Sequence, residues 1–406
     1  MWGSNLDIDM NKHAKSSTTP QGIRQINSIA ALKELFSYGQ LSRAELARLL
    51  GLNRSSSGSI ISELVERSLV REVPEPGQKP NVKGRSGRPG ILLELEPLAA
   101  GFVGAEIGVE HISTLRIDFA ANILDFKITD FDGRSTPVED AVRHAVGQAF
   151  QDIPEDVIEH IEGFGLSAPA QMDLNGNVRI APLLGWKSVD LAALARNSLP
   201  IDVPVMVENE ANSFAFGESY TSSKKRVGVT LFLVMESGVG GGIVIDGRLF
   251  RGAHGLAGEI GHVFVRDSQE LEHLLGLDRL LKCHQGVIKN GTATLDGFLK
   301  DVRDREPKAV EIAEEWAQDL ARAVVAVSRL IDPDRIVLGG SVAALYPMVA
   351  ARVTHYIIGL QPSTFPMPDI EVHDAPETGA SYGAACMMHK RYLTGDLHRT
   401  SDGLLE

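Results

Sequence analysis

The sequence predicts an α/β protein in two parts: a small N-terminal module of winged helix-turn-helix character and a larger body of two similar α/β halves. Three observations carry this reading. The charge is segregated along the chain. The first hundred residues read as helix, short helix, tight turn, helix and then two strands around a basic loop. A run of strands followed by alternating helices and strands then occurs twice. At 406 residues, 43% of them hydrophobic, the chain exceeds what one core usually supports and has apolar material for two or three domains.

A net charge of −13 would argue against nucleic acid as a partner if it were evenly spread. It is not: residues 1–90 hold 13 basic and 8 acidic side chains, a balance of +5, and the remainder carries −18. A basic segment on an acidic body points to an appended module with its own partner. Cys283 and Cys386 are far apart and belong to no CxxC or Cys/His cluster, which excludes a disulfide framework and points to the cytoplasm. The apolar stretches Val227 to Met235 and Gly238 to Ile245 are split by Glu236 and too short to span a bilayer. Residues Met1 to Gln21 are polar, unlike a signal peptide, so no membrane role is expected.

Within the basic segment, Ile26, Ile29, Ala30 and Phe36 fall near helical spacing, so Ile23 to Tyr38 reads as a helix closed by Gly39. Ser42 with Glu45 three residues on forms a capping box that opens a short helix through Leu50. The turn Gly51-Leu52-Asn53 leads to a third helix with Ile60, Ile61, Leu64 and Val65 on its apolar face. Its start, Arg54-Ser55-Ser56-Ser57-Gly58-Ser59, is poor in helix formers, Gly58 alone costing about 1 kcal/mol relative to Ala. Small hydroxyls and bare backbone suit a surface pressed against phosphates and base edges. The DNA-facing candidates are Arg43, Arg54, Ser55, Ser56, Ser57 and Ser59. Leu69 to Glu72 and Ile91 to Leu95 read as strands flanking a wing, where Arg85 and Arg88 are placed to meet a minor groove or a phosphate. A helix-turn-helix used for protein contacts is the alternative.

In the body, Gly101 to Ile107, His111 to Phe119 and Asn122 to Thr129 read as consecutive strands before a helix opened by Ser135 and Pro137. Val227 to Met235, Gly241 to Ile245 and Leu249 onward repeat the strand run, followed by a helix over Glu311 to Leu330 and a strand over Arg335 to Leu338. Ser237-Gly238-Val239-Gly240-Gly241-Gly242 reads as a Gly-rich loop able to bring backbone N–H groups close to a polar or anionic ligand. Shortly after it, Gly258-Glu259-Ile260-Gly261-His262 places a Glu and a His three residues apart between glycines.

Together with Val207-Glu208-Asn209-Glu210-Ala211-Asn212 and Ile336-Val337-Leu338-Gly339-Gly340-Ser341, this order of motifs resembles the ROK family of repressors, open reading frames and sugar kinases, from Ile23 to about Tyr392. The resemblance implies two actin-like, ribonuclease H-like lobes holding a sugar in the cleft between them, with a winged helix present in regulator members. It implies that Asn209, Glu259 and His262 hydrogen-bond sugar hydroxyls, that Glu210 stands where kinases carry a catalytic Asp, that Glu272 joins the sugar site, and that Pro169 and Ala170 line it. The chemistry agrees, because Glu, Asn and His together can both donate to and accept from hydroxyls, each charged acceptor worth roughly 1.5 to 3 kcal/mol.

Three departures from the family pattern bear on function. The kinases' Asp-x-Gly-Gly-Thr phosphate loop stands here as Glu106-Ile107-Gly108-Val109-Glu110, where β-branched Val109 hinders close approach and the Glu110 charge repels phosphate. The catalytic Asp position is Glu210. The family's Cys-x-Cys-Gly-x-x-Gly-Cys zinc loop is replaced by Val265 to Glu270 without a cysteine, so His262 lacks the partners of a structural zinc site, and Cys283 and His284 read as ordinary helix residues. The expected protein therefore holds neither ATP nor zinc and is not an enzyme. It is a sugar-responsive DNA-binding regulator, most plainly a repressor, whose partners are operator DNA, a sugar or sugar derivative, and a second copy as homodimer or dimer of dimers. A sugar kinase with a DNA-binding appendage, or a regulator answering to a protein partner, are the alternatives. The expected boundaries are 1–20 flexible, 21–96 winged helix-turn-helix, 97–208 first lobe with a returning helix at about 377–394, 209–376 second lobe, and 395–406 tail.

Overall fold

The computed structural model describes residues 19–74, 91–221, 227–266, 268–288, 291–374 and 378–394. Arg85 and Arg88, most of the expected N-terminal segment and the whole 395–406 tail lie outside the described residues. The chain divides into two compact units. One runs to Ala100 and takes in Asp118–Asn122 and the stretch from Lys390; the other takes Gly101–Ile117 and Ile123–His389. The first unit passes the expected boundary at 96 because a 3-10 turn at Pro97–Ala99 belongs to it, with Phe119 N–H donating to the Pro97 carbonyl at 3.0 Å.

The first unit comprises α1 (Pro20–Tyr38), β1 (Leu41–Ser42), α2 (Arg43–Leu49), α3 (Arg54–Glu66), β2 (Val70–Pro74) and β3 (Ile91–Leu95). Helix α1 starts earlier than the apolar spacing suggests, because Thr19 caps it by accepting from Gly22 N–H and Pro20 suits the first helical position. Ser42 and Glu45 form the reciprocal capping box of α2. Leu35, Leu46, Ile61, Leu64 and Leu93 close the core, and β3 lies between β1 and β2 in an antiparallel sheet.

The second unit contains one topology used twice. In the first lobe, β4 (Gly101–Ile107) pairs antiparallel with β5 (His111–Ile117), which pairs with β6 (Ile123–Asp130). After α4 (Val138–Phe150) and a single turn at Glu155–Ile158, β7 (Ile161–Ala168) returns parallel to β4 on its other side. A small antiparallel sheet of β8 (Gln171–Met172), β9 (Val178–Ala181) and β10 (Trp186–Val189) precedes α5 (Leu191–Ser198), β11 (Val205–Asn209) and α6 (Glu210–Thr221). The sheet order is β11-β7-β4-β5-β6.

The second lobe repeats it with β12 (Val229–Met235), β13 (Val239–Ile245) and β14 (Arg248–Leu249), then an insertion. The insertion carries β15 (Phe264–Arg266), β16 (Gln269–Glu270), a turn at Glu272–Leu275, α7 (Leu277–Gln285) and α8 (Leu295–Arg303), before α9 (Pro307–Ile331), β17 (Arg335–Gly339), α10 (Tyr346–Leu360), β18 (Asp369–Val372) and α11 (Gly379–Thr394). The order β14-β13-β12-β17-β18 is the first sheet's order, with β12 in the place of β4. The Gly-rich run is a strand rather than the loop its composition suggested. Gly241 and Gly258 are needed because the Gly258 carbonyl presses within 2.5 Å of where a Gly241 β-carbon would sit, so β13 and the following segment pack backbone against backbone.

The halves also exchange helices. Helix α6, which follows the first sheet, packs through Ala211, Phe214 and Ala215 on Phe232, Val234 and Val244 of the second. Helix α11, which follows the second sheet, lies against the first, where β-carbons on Gly104 or Gly165 would collide with the carbonyls of Ser381 and Ala384. The two helices meet at Gly217 and Gly383, and a β-carbon on Gly383 would strike the Ser213 carbonyl.

Candidate functional site

Helix α3 presents an exposed N-terminal face. Asn53 caps it by accepting from Ser56 N–H at 2.9 Å, and its first turn contains no acidic residue, so no carboxylate offsets the positive end of its dipole. Arg54, Ser55, Ser56 and Ser59 are exposed there, and a β-carbon on Gly58 would meet nothing within 4 Å. Ser57 corrects the sequence reading: it is 2% exposed, because it begins the stripe Ser57, Ile60, Ile61, Leu64 that helical spacing turns inward. It therefore cannot touch DNA. Arg43 is exposed but ion-paired with Glu72 of β2 at 2.7 Å, and Ser59 accepts from Arg24 of α1 at 3.2 Å.

A cleft enclosing about 900 Å³, open solvent at its mouth included, lies between the strand ends of the two lobes. The fold brings all seven expected cleft residues together in its lining: Pro169, Ala170, Asn209, Glu210, Glu259, His262 and Glu272. Asn209 ends β11. Its side-chain N–H donates to the Ala170 carbonyl at 3.0 Å and its oxygen accepts from Asn212 N–H at 3.1 Å, which fixes the amide while leaving one N–H and one lone pair for a ligand. Glu208 anchors this corner from behind, held by Arg251 at 2.6 Å and by Asn212 at 3.2 Å. Glu259 is supported by Gln171 at 3.4 Å and lies 3.8 Å from His262 Nε2. Burial pushes the Glu259 carboxyl up, against the opposing pull of His262 and Gln171.

Sequence reasoning overlooked Glu106, His111, Glu236 and Glu270 as site residues. Glu106 is 4% exposed, accepts from Ser113 Oγ at 2.8 Å and lies 3.5 Å from His111 Nε2. Burial opposes charge on His111, but Glu106, with Glu236 and Glu210 beyond it, outweighs burial and raises its pKa to about 9. Glu210 is pushed well above the carboxylate range by burial and by Glu106 and Glu236. Glu236, remarked in the sequence only as a break in an apolar run, accepts from both the backbone N–H and the hydroxyl of Ser341 at 2.6 Å. Burial raises its pKa although Ser341 opposes this.

His262, Glu270 and Glu272 offer ligand atoms within 4.8 Å of one another, but no thiolate is among them, and Glu270 takes His262 Nδ1 at 3.0 Å. The loop is ordered by other means: β15 pairs with β16, Leu271 N–H donates to the Val263 carbonyl at 3.0 Å, Leu271 is fully buried, and Arg266 lies 3.5 Å from buried Asp319. At the phosphate end, Val109 is buried and Glu110 accepts from Ser237 Oγ at 3.2 Å. His284 is buried within α7 and lies 2.9 Å from Asp301, an ordinary helix contact.

A duplicated pair of α/β lobes around a cleft, joined in one chain to a helix-turn-helix unit, defines a sugar-kinase-like domain of regulator type. The chain belongs to the ROK family, whose profile matches residues 102–391. It is similar to the xylose repressor of Caldicellulosiruptor bescii, 25% identical over 78% of this chain and 83% of that one. It is also similar to the DNA-binding transcriptional dual regulator NagC of Escherichia coli, 21% identical over 92% and 95%. Among solved structures, a ROK family transcriptional regulator homologous to the E. coli MLC protein superposes with a TM-score of 0.72 at 18% identity, covering 92% of this chain and 98% of that one. A ROK family glucokinase from Streptomyces griseus, in complex with glucose and AMPPNP, superposes with a TM-score of 0.62 at 21% identity, over 71% and 99%. Among the described residues no helix is long and apolar enough to cross a membrane.

Proposed function

We propose that this protein is a sugar-responsive, DNA-binding transcriptional regulator that acts in the cytoplasm as a homodimeric repressor. The observation that carries the reading is the union in one chain of an exposed α3 N-terminus without an acidic residue and a cleft lined by Asn209, Glu259, His262 and Glu272, with Val109 and Glu110 at the phosphate-loop positions. Arg54, Ser55, Ser56 and Ser59 meet phosphates and base edges, and Arg43, Arg85 and Arg88 of the same basic segment are further candidates for DNA contact. Asn209, Glu259, His262 and Glu272 bind sugar hydroxyls, with Pro169 and Ala170 forming the wall and Glu210 at the end of the site. Similarity to proteins named as repressors of xylose and N-acetylglucosamine systems supports this.

No covalent chemistry is needed. A sugar that binds one arrangement of the lobes more tightly than another shifts the population between them, and operator affinity follows. The protein is a regulator without kinase activity and without zinc: Glu236 occupies the Ser341 donors, and Glu270 holds the imidazole. The test is anisotropy of labelled DNA from the chain's own upstream region, titrated with and without xylose, glucose and N-acetylglucosamine. Specific binding changed by one sugar is expected. Binding no tighter than to random DNA would overturn the assignment, and turnover of labelled ATP with a hexose panel would reinstate the kinase.

A further inference from the structure

The cleft names the class of sugar it takes, an inference that rests on the sugar-binding reading above. Six carboxylates line it, Glu106, Glu110, Glu210, Glu236, Glu259 and Glu272, and among the described residues that line it there is no Lys or Arg. Among those lining residues the cationic groups are two imidazoles, and each faces a carboxylate: His111 is 3.5 Å from Glu106 and His262 3.0 Å from Glu270.

The serine donors beside the cleft are spent inside the protein. Ser341 gives its N–H and hydroxyl to Glu236, each at 2.6 Å, and Ser237 gives its hydroxyl to Glu110 at 3.2 Å. The Gly-rich run that resembles a phosphate cradle lies in register with β12 from Val239 to Ile245 and is committed to the sheet. The N-terminus of α6, which opens on the cavity, carries Glu210 itself.

Sugar hydroxyls suit such a lining, because each can donate to a carboxylate and accept from Asn209 or an imidazole. A phosphate dianion finds carboxyl groups on several sides, the exposed Glu110 among them, and no Lys or Arg among the described lining residues, in a partly desolvated site that salt screens weakly. We propose that the cleft admits unphosphorylated sugars and excludes their phosphate esters by charge rather than by size.

The test is calorimetric titration of the full chain with three pairs: glucose and glucose 6-phosphate, N-acetylglucosamine and its 6-phosphate, xylose and xylose 5-phosphate. For any parent sugar that binds, the ester is expected to bind about 100-fold more weakly or not at all. An ester binding as tightly as its parent would overturn the proposal while leaving the sugar response standing. Failure of every sugar, free or esterified, would remove the sugar-binding reading and the proposal with it. Glu110 is exposed at the cavity edge, so Glu110→Lys tests charge against size. It should narrow the ratio by about tenfold with the parent sugar's affinity kept. A ratio unmoved in Glu110→Lys and in Glu110→Gln would show the exclusion to be steric and overturn its electrostatic cause.

Discussion

Glu270 stands 3.0 Å from Nδ1 of His262, at the end of the short β15–β16 hairpin. Burial lowers the imidazole's pKa, but Glu270, with Glu272 and Glu259, overcomes this and raises it, so the charged ring with Nδ1–H donating to Glu270 is favoured. This contact fixes the ring's orientation and turns Nε2, 3.8 Å from Glu259, toward the cavity. Because partners of this kind typically change affinity by 10–100-fold, Glu270→Ala should weaken sugar binding by roughly tenfold or more, with Glu270→Gln restoring part of it. Dialysis against EDTA should leave both melting temperature and sugar affinity unchanged. A fall of several degrees on chelation, reversed by Zn²⁺, would return the metal to this site.

The pair His111 and Glu106 predicts a pH dependence with a definite sign. The folded pKa of about 9 lies above the imidazole's ordinary 6.5, so the stability it contributes is whole below about pH 6.5 and is lost as pH rises through about 9. Its size is on the order of 3 kcal/mol. Glu210 and Glu236, also raised, act in the same direction from the ordinary carboxylate range upward. Urea denaturation at pH 6.5, 7.5 and 9 should show falling stability in the native chain and a flatter profile in His111→Gln; parallel profiles would remove the pair as the cause.

Gly58 offers a separation of stability from recognition. A β-carbon there meets nothing within 4 Å inside the protein, so Gly58→Ala should stabilise α3 by about 1 kcal/mol. If that face lies against DNA, operator affinity should nonetheless fall, with the sugar response of the free protein intact. A variant both more stable and unimpaired on its operator would show that α3 does not press its backbone against DNA.

Gly383 is the converse case. Because a side chain there would strike the Ser213 carbonyl where α6 and α11 meet, Gly383→Ala should cost on the order of 1–3 kcal/mol, read as a lower urea midpoint at unchanged slope. A midpoint equal to the native one would mean that the crossing is looser than its geometry indicates.

Much of this was legible in the chain alone, for identifiable reasons. The capping box at Ser42 and Glu45 is a local signal and fixes α2 directly. The cleft residues Asn209, Glu259, His262 and Glu272 sit in motifs whose order carries the resemblance, and the fold gathers them. Ser57 was misread because composition drew it to the polar run, whereas the period set by Ile60, Ile61 and Leu64 turns it inward. The Gly-rich run was misread because glycine signals a loop unless a close backbone neighbour, here Gly258, is known to exist. Glu236 and Ser341, 105 residues apart, form a contact that spacing along the chain does not announce.

The exchange of α6 and α11 means that neither sheet is covered by its own last helix. Each half is roofed by the other's, so an isolated half would expose Phe214, Phe232 and their neighbours to water. The cleft is therefore the seam between two halves that close each other's cores. A ligand seated in it touches both halves at once.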